Sequence, residues 1–184
     1  MVHIVKQKKK SIKFNVVRES RLIENLIEKL PDDDTVYKIV SFGGFSSIGF
    51  VNYIAAQAKI RKMEVSTLRV GKKHLKVLDV LHKKGKLNYV HFLVGSIMSN
   101  DSKVGQKYGY FDSLKTVCDA NGWDVTVYTN HSKVLLFDTE LGKFVIETSS
   151  NLNENPKMEQ FSFEKNEELY DMYHGIFDEV RHMR

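Results

Sequence analysis

Short apolar runs alternate regularly with segments of helical spacing, and this pattern restricts the folds available to the chain more than any other. The apolar runs predict strands over 12–17, 36–42, 63–70, 88–94 and 123–129. Between them, and again over 164–184, apolar residues recur every three or four positions, which is typical of amphipathic helices. Two strands close together over 134–148 predict a hairpin. We therefore expect an α/β/α sandwich with a mixed, mostly parallel central sheet and a late antiparallel hairpin.

Four further segments are expected to be helical: 20–30, 50–61, 74–81 and 108–120. Residues 95–105 are polar and follow a strand, so we expect a loop at the sheet edge where α/β proteins usually bind ligands. His91 lies inside an apolar strand and is expected to be a buried core residue. His174, on the last helix, is expected at the surface.

The composition favours one folded domain with an anionic partner. The chain has 184 residues, 42% of them hydrophobic, so we expect a single domain over 1–184 with a flexible basic segment at 1–10. Its one cysteine, Cys118, excludes an intrachain disulfide and leaves no zinc cluster. The formal net charge is +5. The lysines over 72–86 form a basic helix face, for which solvation is the ordinary interpretation and contact with a polyanion the alternative.

No segment has the features of an export signal or of a membrane span. The basic residues near the amino terminus are not followed by an apolar stretch. No run approaches the roughly 20 apolar residues that a bilayer requires. We therefore expect a soluble, cytoplasmic protein with no membrane partner.

The hairpin carries the residues with the clearest chemical meaning. His131 and Lys133 precede its first strand, and Ser149 and Asn151 follow its second. An imidazole can attack phosphorus, and cationic and amide groups can bind phosphoryl oxygens, so this set suits a phosphate diester. H-x-K occurs three times in the chain, but only the third copy has an aspartate seven positions after its histidine, Asp138, and a following S-x-N.

This arrangement resembles the phospholipase D superfamily, especially its small single-copy nuclease-like members. The resemblance rests on H-x-K-x4-D, a hairpin and S-x-N, and it covers about 123–159. Thr148 stands where that superfamily usually has the glycine of G-S-x-N, and the interval after Asp138 is longer than is common, which predicts an extended hairpin. In the implied catalytic set, Asp138 would fix the hairpin and Lys133 rather than meet the substrate.

The resemblance implies a phosphodiesterase that needs no metal or cofactor and whose site is shared by a homodimer. His131 would attack phosphorus to form a phosphohistidine, while His131 of the partner subunit protonates the leaving oxygen and then activates water. Lys133 and Asn151 would hold the non-bridging oxygens. Ser149 would add a hydroxyl donor, and Glu159 would orient His131 through its other ring nitrogen.

A second candidate contact is the glycine-rich segment after the strand at 36–42. It imitates a P-loop, but Phe50 and Val51 replace the lysine and hydroxyl residue that a P-loop requires, so a nucleotide-binding loop is rejected. Ser46 and Ser47 could contact substrate at a helix N-terminus. The segment could equally be a tight turn that only needs glycine, and the residues leave both interpretations open.

Three functions are compatible with these patterns. The first is a nuclease, which the basic charge and the expected cytoplasmic location favour. The second is a phosphatidyl hydrolase or transferase acting on phospholipid, for which the sequence shows no apolar access surface. The third is a catalytically weak nucleic-acid-binding dimer of the same fold.

Overall fold

The computed structural model describes residues 10–17, 23, 26–43, 45–101, 109–153 and 157–183. Residues 1–9 of the expected flexible segment and residues 20–22, 24 and 25 of the expected helix at 20–30 lie outside this part of the chain. The described residues 26–30 form turns and bends rather than an α-helix. The strands are β1 (Ser11–Val17), β2 (Thr35–Ser41), β3 (Ile60–Thr67), β4 (Leu87–Gly95), β5 (Asp124–Tyr128), β6 (Val134–Thr139), β7 (Gly142–Thr148) and β8 (Glu159–Lys165). The helices are α1 (Ile48–Gln57), α2 (Lys72–Lys83), α3 (Ser96–Asp101), α4 (Tyr110–Asn121) and α5 (Glu167–His182).

The eight strands found in the described residues belong to one sheet, in the order β1-β2-β8-β7-β6-β3-β4-β5. β1 pairs with β2 in parallel, and β3, β4 and β5 also pair in parallel. Each of the remaining pairings, from β2 through β8, β7 and β6 to β3, is antiparallel. Six of the eight strands therefore share one direction, and β6 and β8 oppose it. The predicted mixed, mostly parallel sheet with a late hairpin is confirmed.

Helices cover both faces of this sheet. One hydrophobic core joins α1, α2 and α4 to the sheet, and a second core joins α5 to the opposite face. β6 supplies both cores: Leu135 and Phe137 belong to the first, and Val134 and Leu136 to the second. An unbroken apolar run is what such a doubly covered strand requires. The expected α/β/α sandwich is therefore confirmed. None of the described helices combines the length and apolar character needed to cross a bilayer.

Two boundaries differ from the expectation because tertiary pairing overrides local pattern. The helix expected over 50–61 ends at Gln57, and β3 already begins at Ile60, which is completely buried and pairs with Leu87 of β4 and Thr139 of β6. The loop expected over 95–105 begins instead with α3, whose Met98 is completely buried.

The largest difference is β8, which the sequence interpretation missed. Residues 164–184 were expected to form one helix, but α5 begins at Glu167, where Asn166 caps it by accepting a hydrogen bond from the Leu169 amide (3.0 Å). β8 precedes it as an interior strand between β2 and β7, with Phe161 and Phe163 in the core. Polar residues alternate with these phenylalanines and obscure the strand in a search for apolar runs.

A buried carboxylate, Glu64 of β3, lies beneath α5. Its Oε1 is 3.1 Å from Lys62 Nζ and 3.6 Å from His91 Nδ1, and its Oε2 is 2.8 Å from His174 Nδ1. His91 is completely buried and its Nε2 lies 3.0 Å from Thr126 Oγ1, so it is the core residue that was expected. His174, expected at the surface, packs half-buried against Glu64. Burial raises the pKa of Glu64, but His91, Lys62 and His174 together outweigh it and hold the pKa below its usual 4.5.

Replacing Glu64 with alanine should lower the free energy of unfolding by roughly 2–4 kcal/mol, because it leaves a cavity and removes the counter-charge of Lys62 and His174. Since the folded-state pKa of Glu64 is lowered, its stabilisation is present above pH 4.5 and is lost as the pH falls through that lowered value. Urea denaturation at about pH 7 and about pH 3 should show the difference from wild type shrinking in acid. Glu168→Ala, at an exposed position of α5, should change stability by less than about 0.5 kcal/mol. Equal losses for Glu64→Ala at both pH values would contradict a role for the ionised carboxylate.

Candidate active site

With the exception of Asp138, the predicted site residues lie at one edge of the sheet because of strand direction. β3, β4, β5 and β7 end at this edge, whereas β6 and β8 run the opposite way and begin there. The H-x-K segment therefore enters β6 beside the S-x-N segment that leaves β7. Glu159, the first residue of β8, lies at the same edge.

Asn130 attaches the H-x-K segment to the sheet. Its Nδ2 donates to Ser66 Oγ (2.8 Å) and to the Leu93 carbonyl (3.2 Å), and its Oδ1 accepts from the Ser132 amide (2.9 Å) and hydroxyl (2.8 Å). At Gly95, a Cβ would lie only 3.1 Å from the Asn130 carbonyl oxygen, so the segment approaches β4 at a distance that glycine permits. The sequence interpretation missed Asn130. The only sequence signal was an asparagine directly before the H-x-K motif. Its hydrogen-bond partners, Ser66 and Leu93, are far away in the sequence.

Asn151 attaches the S-x-N segment to the end of β3. Its Oδ1 accepts hydrogen bonds from the Leu68 amide (3.1 Å) and from Thr67 Oγ1 (3.4 Å). Because a backbone N–H can only donate, the side-chain oxygen must face Leu68, and the Nδ2 group lies at the other side of the amide. Asn151 therefore keeps two N–H donors suited to phosphoryl oxygens.

Ser149 and Glu159 form a pair across β7 and β8. The Ser149 hydroxyl donates a short hydrogen bond to Glu159 Oε2 and accepts one from the Gln160 amide (3.0 Å). Glu159 is 6% exposed. The Ser149 hydroxyl thus holds a buried carboxylate in this structure, whereas the resemblance implied that it would donate to substrate.

Thr148 replaces the motif glycine without strain. It is the last residue of β7. Its hydroxyl donates a hydrogen bond to the Gln160 carbonyl (2.8 Å) and accepts one from the Ser150 amide (2.9 Å). Its backbone amide donates to the Lys133 carbonyl (3.1 Å), so the hairpin extends to the motif lysine. An extended strand needs no glycine at this point, and the threonine hydroxyl shapes the turn that follows.

His131 and Lys133 contact each other at the surface of this edge. Lys133 Nζ lies 2.6 Å from the His131 carbonyl and 3.1 Å from His131 Nδ1. Since an ammonium group only donates, Nδ1 accepts in this contact, and the proton of the neutral ring lies on Nε2. Burial lowers the pKa of Lys133, although the charge of Glu159 acts in the opposite direction.

Asp138 lies away from these residues. It is five residues beyond Lys133 along β6, a distance of about 17 Å in an extended strand. Its carboxylate pairs with the guanidinium of Arg61 on β3 (2.6 Å), so its partner is an arginine rather than the motif lysine.

Ser46 and Ser47 differ in what they can reach. Ser47 is completely buried, so it offers no surface to a substrate. Ser46 is half-buried, and its hydroxyl lies 3.0 Å from His74 Nε2 of α2. An effect of Ser46 on a ligand would therefore pass through His74.

One group of side chains in the described part of the chain has the spacing of metal ligands: Glu64, His174 and Asp178, with one donor atom each within 4.8 Å of the others. The Lys62 ammonium, 3.1 Å from Glu64, already supplies positive charge there, so the group fits an ion-pair network better than a metal centre. It lies beneath α5 rather than among the predicted site residues.

The separation of Asp138 from the site predicts that Asp138→Asn keeps any phosphodiesterase rate within about twofold of wild type. Losing the half-exposed pair with Arg61 should cost at most about 1 kcal/mol of stability. Steady-state kinetics and urea denaturation would measure the two effects. A rate loss as large as that of Lys133→Ala would show instead that Asp138 acts on the reaction.

The strand order and the cluster at one sheet edge define an α/β protein whose fold is known from other structures. No protein-family model matches the chain, and no curated protein matches it significantly in sequence.

Three solved structures share this fold at low identity. Polyphosphate kinase from Porphyromonas gingivalis aligns with a TM-score of 0.60 and 12% identity over 79% of this chain and 26% of its own. Phosphatidylserine synthase from Haemophilus influenzae Rd KW20 aligns with a TM-score of 0.56 and 16% identity, over 80% of this chain and 38% of its own. The archaeal chromatin protein TrmBL2 is described as having a novel mode of DNA binding. It aligns with a TM-score of 0.50 and 14% identity, over 88% of this chain and 56% of its own. The chain thus spans about a quarter to just over half of these proteins. At these identities the matches show a shared fold and nothing further.

Proposed function

We propose that the chain is a metal-independent phosphodiesterase, acting as a nuclease through a phosphohistidine in a site shared by two copies of the chain. The observation that carries this proposal is that both segments bearing the predicted site residues are attached to the end of β3. Asn130 ties the segment of His131 and Lys133 to Ser66, and Asn151 is tied to Leu68 two residues further on. An imidazole, an ammonium group and an amide donor thus belong to two segments that are attached two residues apart on the chain at the end of β3.

In the first step, the lone pair of His131 Nε2 attacks phosphorus. A P–N bond forms as the bond from phosphorus to the leaving oxygen breaks, and His131 of the partner subunit gives that oxygen a proton. One imidazole cannot attack and protonate from opposite sides at once, which is why the proposal requires a dimer. Lys133 and the Nδ2 group of Asn151 bind the non-bridging oxygens, where negative charge develops.

In the second step, water attacks the phosphohistidine. His131 of the partner subunit accepts a proton from the water, the new P–O bond forms, and the P–N bond breaks to release the first His131. The partner imidazole is thereby protonated again and ready for the next leaving group. The ammonium of Lys133 supplies the positive charge at phosphorus, so the cycle does not call for a metal ion.

The contact between Lys133 and His131 gives substrate a way to prepare the nucleophile. With Lys133 at Nδ1, the neutral ring carries its proton on Nε2, the atom that must attack. A bound phosphate attracts Lys133 away, and Nδ1 can then carry the proton. Glu159, held by Ser149, is the carboxylate assigned to orient that N–H, and its charge already acts on Lys133.

Nucleic acid is the proposed substrate because of charge. The chain carries a formal net charge of +5, and one protein of the same fold is described as binding DNA. Others of that fold are named for polyphosphate and for phosphatidylserine, so the comparisons leave the choice of substrate to experiment. A weakly catalytic nucleic-acid-binding dimer and a phospholipid-directed enzyme are the alternatives that the assay must separate.

His131→Ala should lower turnover by roughly 10³-fold or more, since it removes the nucleophile and the general acid together. The assay compares a chromogenic diester, single- and double-stranded DNA, RNA and phosphatidylcholine vesicles, each with and without EDTA. His182→Ala, at an exposed histidine of α5, is the matched control and should retain the wild-type rate.

Each outcome of this assay selects one function. Cleavage of nucleic acid that survives EDTA and is lost only in His131→Ala supports the proposal. Sedimentation of the protein as a dimer in analytical ultracentrifugation supports it as well. Activity that needs a divalent cation, or turnover by a monomer, would reject the mechanism. Binding of nucleic acid without turnover in either protein would identify a binding dimer, and cleavage confined to the vesicles would identify a lipid enzyme.

Because burial lowers the pKa of Lys133, the alkaline limb of kcat/KM should lie below the ordinary lysine value of 10.5: activity falls as rising pH removes the ammonium charge. Lys133→Arg keeps its charge over this range, so the alkaline limb should move to higher pH whatever rate remains. The pH profile of diester cleavage measures both. An alkaline limb at the same pH in wild type and Lys133→Arg would show that another group controls it.

A further inference from the structure

A basic cavity opens beside the candidate active site, between the β3–α2 connection and the start of α4. Its volume is about 440 Å³, and its lining includes Arg69, Lys72, Lys73, His74, Tyr110 and Asn153. None of the residues outlined above for catalysis contributes to it, so it is a separate feature of the same sheet edge.

The segment 151–153 connects the candidate site to the cavity, because Asn151 belongs to the site and Asn153 lines the cavity. Asn151 accepts a hydrogen bond from the Leu68 amide, and Arg69 is the next residue of the chain. The Gly71 amide donates to the Leu152 carbonyl (2.8 Å). Asn153 packs so closely on Gly71 that a Cβ there would lie 3.3 Å from the Asn153 Cβ. A ligand bound to Asn151 would therefore extend along this segment into the cavity.

The lining is cationic, and its histidine is held in place. Three basic side chains and His74 line the cavity, and no described acidic side chain does. His74 is only 4% exposed, and its Nε2 is within 3.0 Å of Ser46 Oγ, which fixes the ring at the cavity wall. Lys72 Nζ lies 5.9 Å from the centre of the Tyr110 ring, so charge and an aromatic surface occur together. This combination is typical of sites that bind a single nucleic-acid strand.

We propose that this cavity binds a second phosphate of the nucleic-acid strand, next to the phosphate held at the candidate active site, with Tyr110 contacting the attached base. The inference rests on the proposed function for the identity of the cleaved bond, but the binding step can be tested without it. Arg69, Lys72 and Lys73 contact the phosphate, and Ser46 acts by positioning His74. A phospholipid or a small diester has no neighbouring phosphate, so the cavity would favour polynucleotides over both.

The test measures binding of fluorescein-labelled decathymidylate to full-length His131→Ala protein by anisotropy, at about 50 to 200 mM salt. In that background, Lys72→Gln/Lys73→Gln should weaken binding about tenfold at low salt and reduce the salt slope by about 0.7, the value of one single-strand phosphate contact. Lys84→Gln/Lys86→Gln removes the same charge just beyond the other end of α2, at exposed positions. It should change the affinity by less than about twofold.

Other results would overturn the inference. Equal weakening by the two double variants would mean that only the general charge of the helix matters, and unchanged binding in Lys72→Gln/Lys73→Gln would remove the cavity from the contact. Stronger displacement of the label by linear polyphosphate than by unlabelled decathymidylate would identify an inorganic chain as the ligand. Arg69→Gln provides a second variant, and circular dichroism with thermal unfolding verifies that each protein is folded.

Turnover separates this inference from the proposed function. With His131 intact, Lys72→Gln/Lys73→Gln should raise KM for decathymidylate about tenfold and leave KM for a chromogenic diester within about twofold. A matching increase for both substrates would overturn the second-phosphate assignment. If the wild type cleaves no diester, the proposed function fails, and the anisotropy result alone decides whether the cavity binds nucleic acid.

Discussion

The candidate site depends on side-chain amides that tie two irregular segments to the end of β3. Asn130 bonds to Ser66, and Asn151 bonds to Leu68. Asn151 satisfies the backbone amide of Leu68, which follows the end of β3, and Asn130 bonds to a side-chain hydroxyl of the same strand. Each amide thus attaches a different part of the motif to the end of β3. Without these bonds, His131 and Asn151 would belong to two independent surface segments.

The antiparallel strands β6, β7 and β8 make this convergence possible. They stand between β2 and β3, so the sheet continues across a block in which direction alternates. A parallel sheet alone would place only strand ends at this edge. Reversal of β6 and β8 adds two strand beginnings, those of the lysine segment and of Glu159. The reversed strands thus allow the candidate site residues to come from both kinds of terminus.

Charge is distributed unevenly between the two faces and the edge. Beneath α5, a buried carboxylate is matched by Lys62 and two histidines, which is a closed network with a stabilising role. At the edge, Lys133 and the lining of the neighbouring cavity place several basic side chains near one another. The first arrangement neutralises itself within the fold, whereas the second is suited to an anion from outside.

The amino-acid pattern by itself determined the fold class, the doubly buried strands, the hairpin and the positions of His131, Lys133 and Asn151, because these follow from local periodicity and a short motif. The same pattern indicates that Asp138 is remote from the site, since an aspartate five residues along a strand from Lys133 must lie about 17 Å away. Tertiary structure alone decided which groups meet. Asn151 and Leu68 are 83 residues apart and share a hydrogen bond, and Ser46 and His74 are 28 apart. Such contacts depend on strand order and register, which are set by the packing of the whole sheet and leave no signal in either segment.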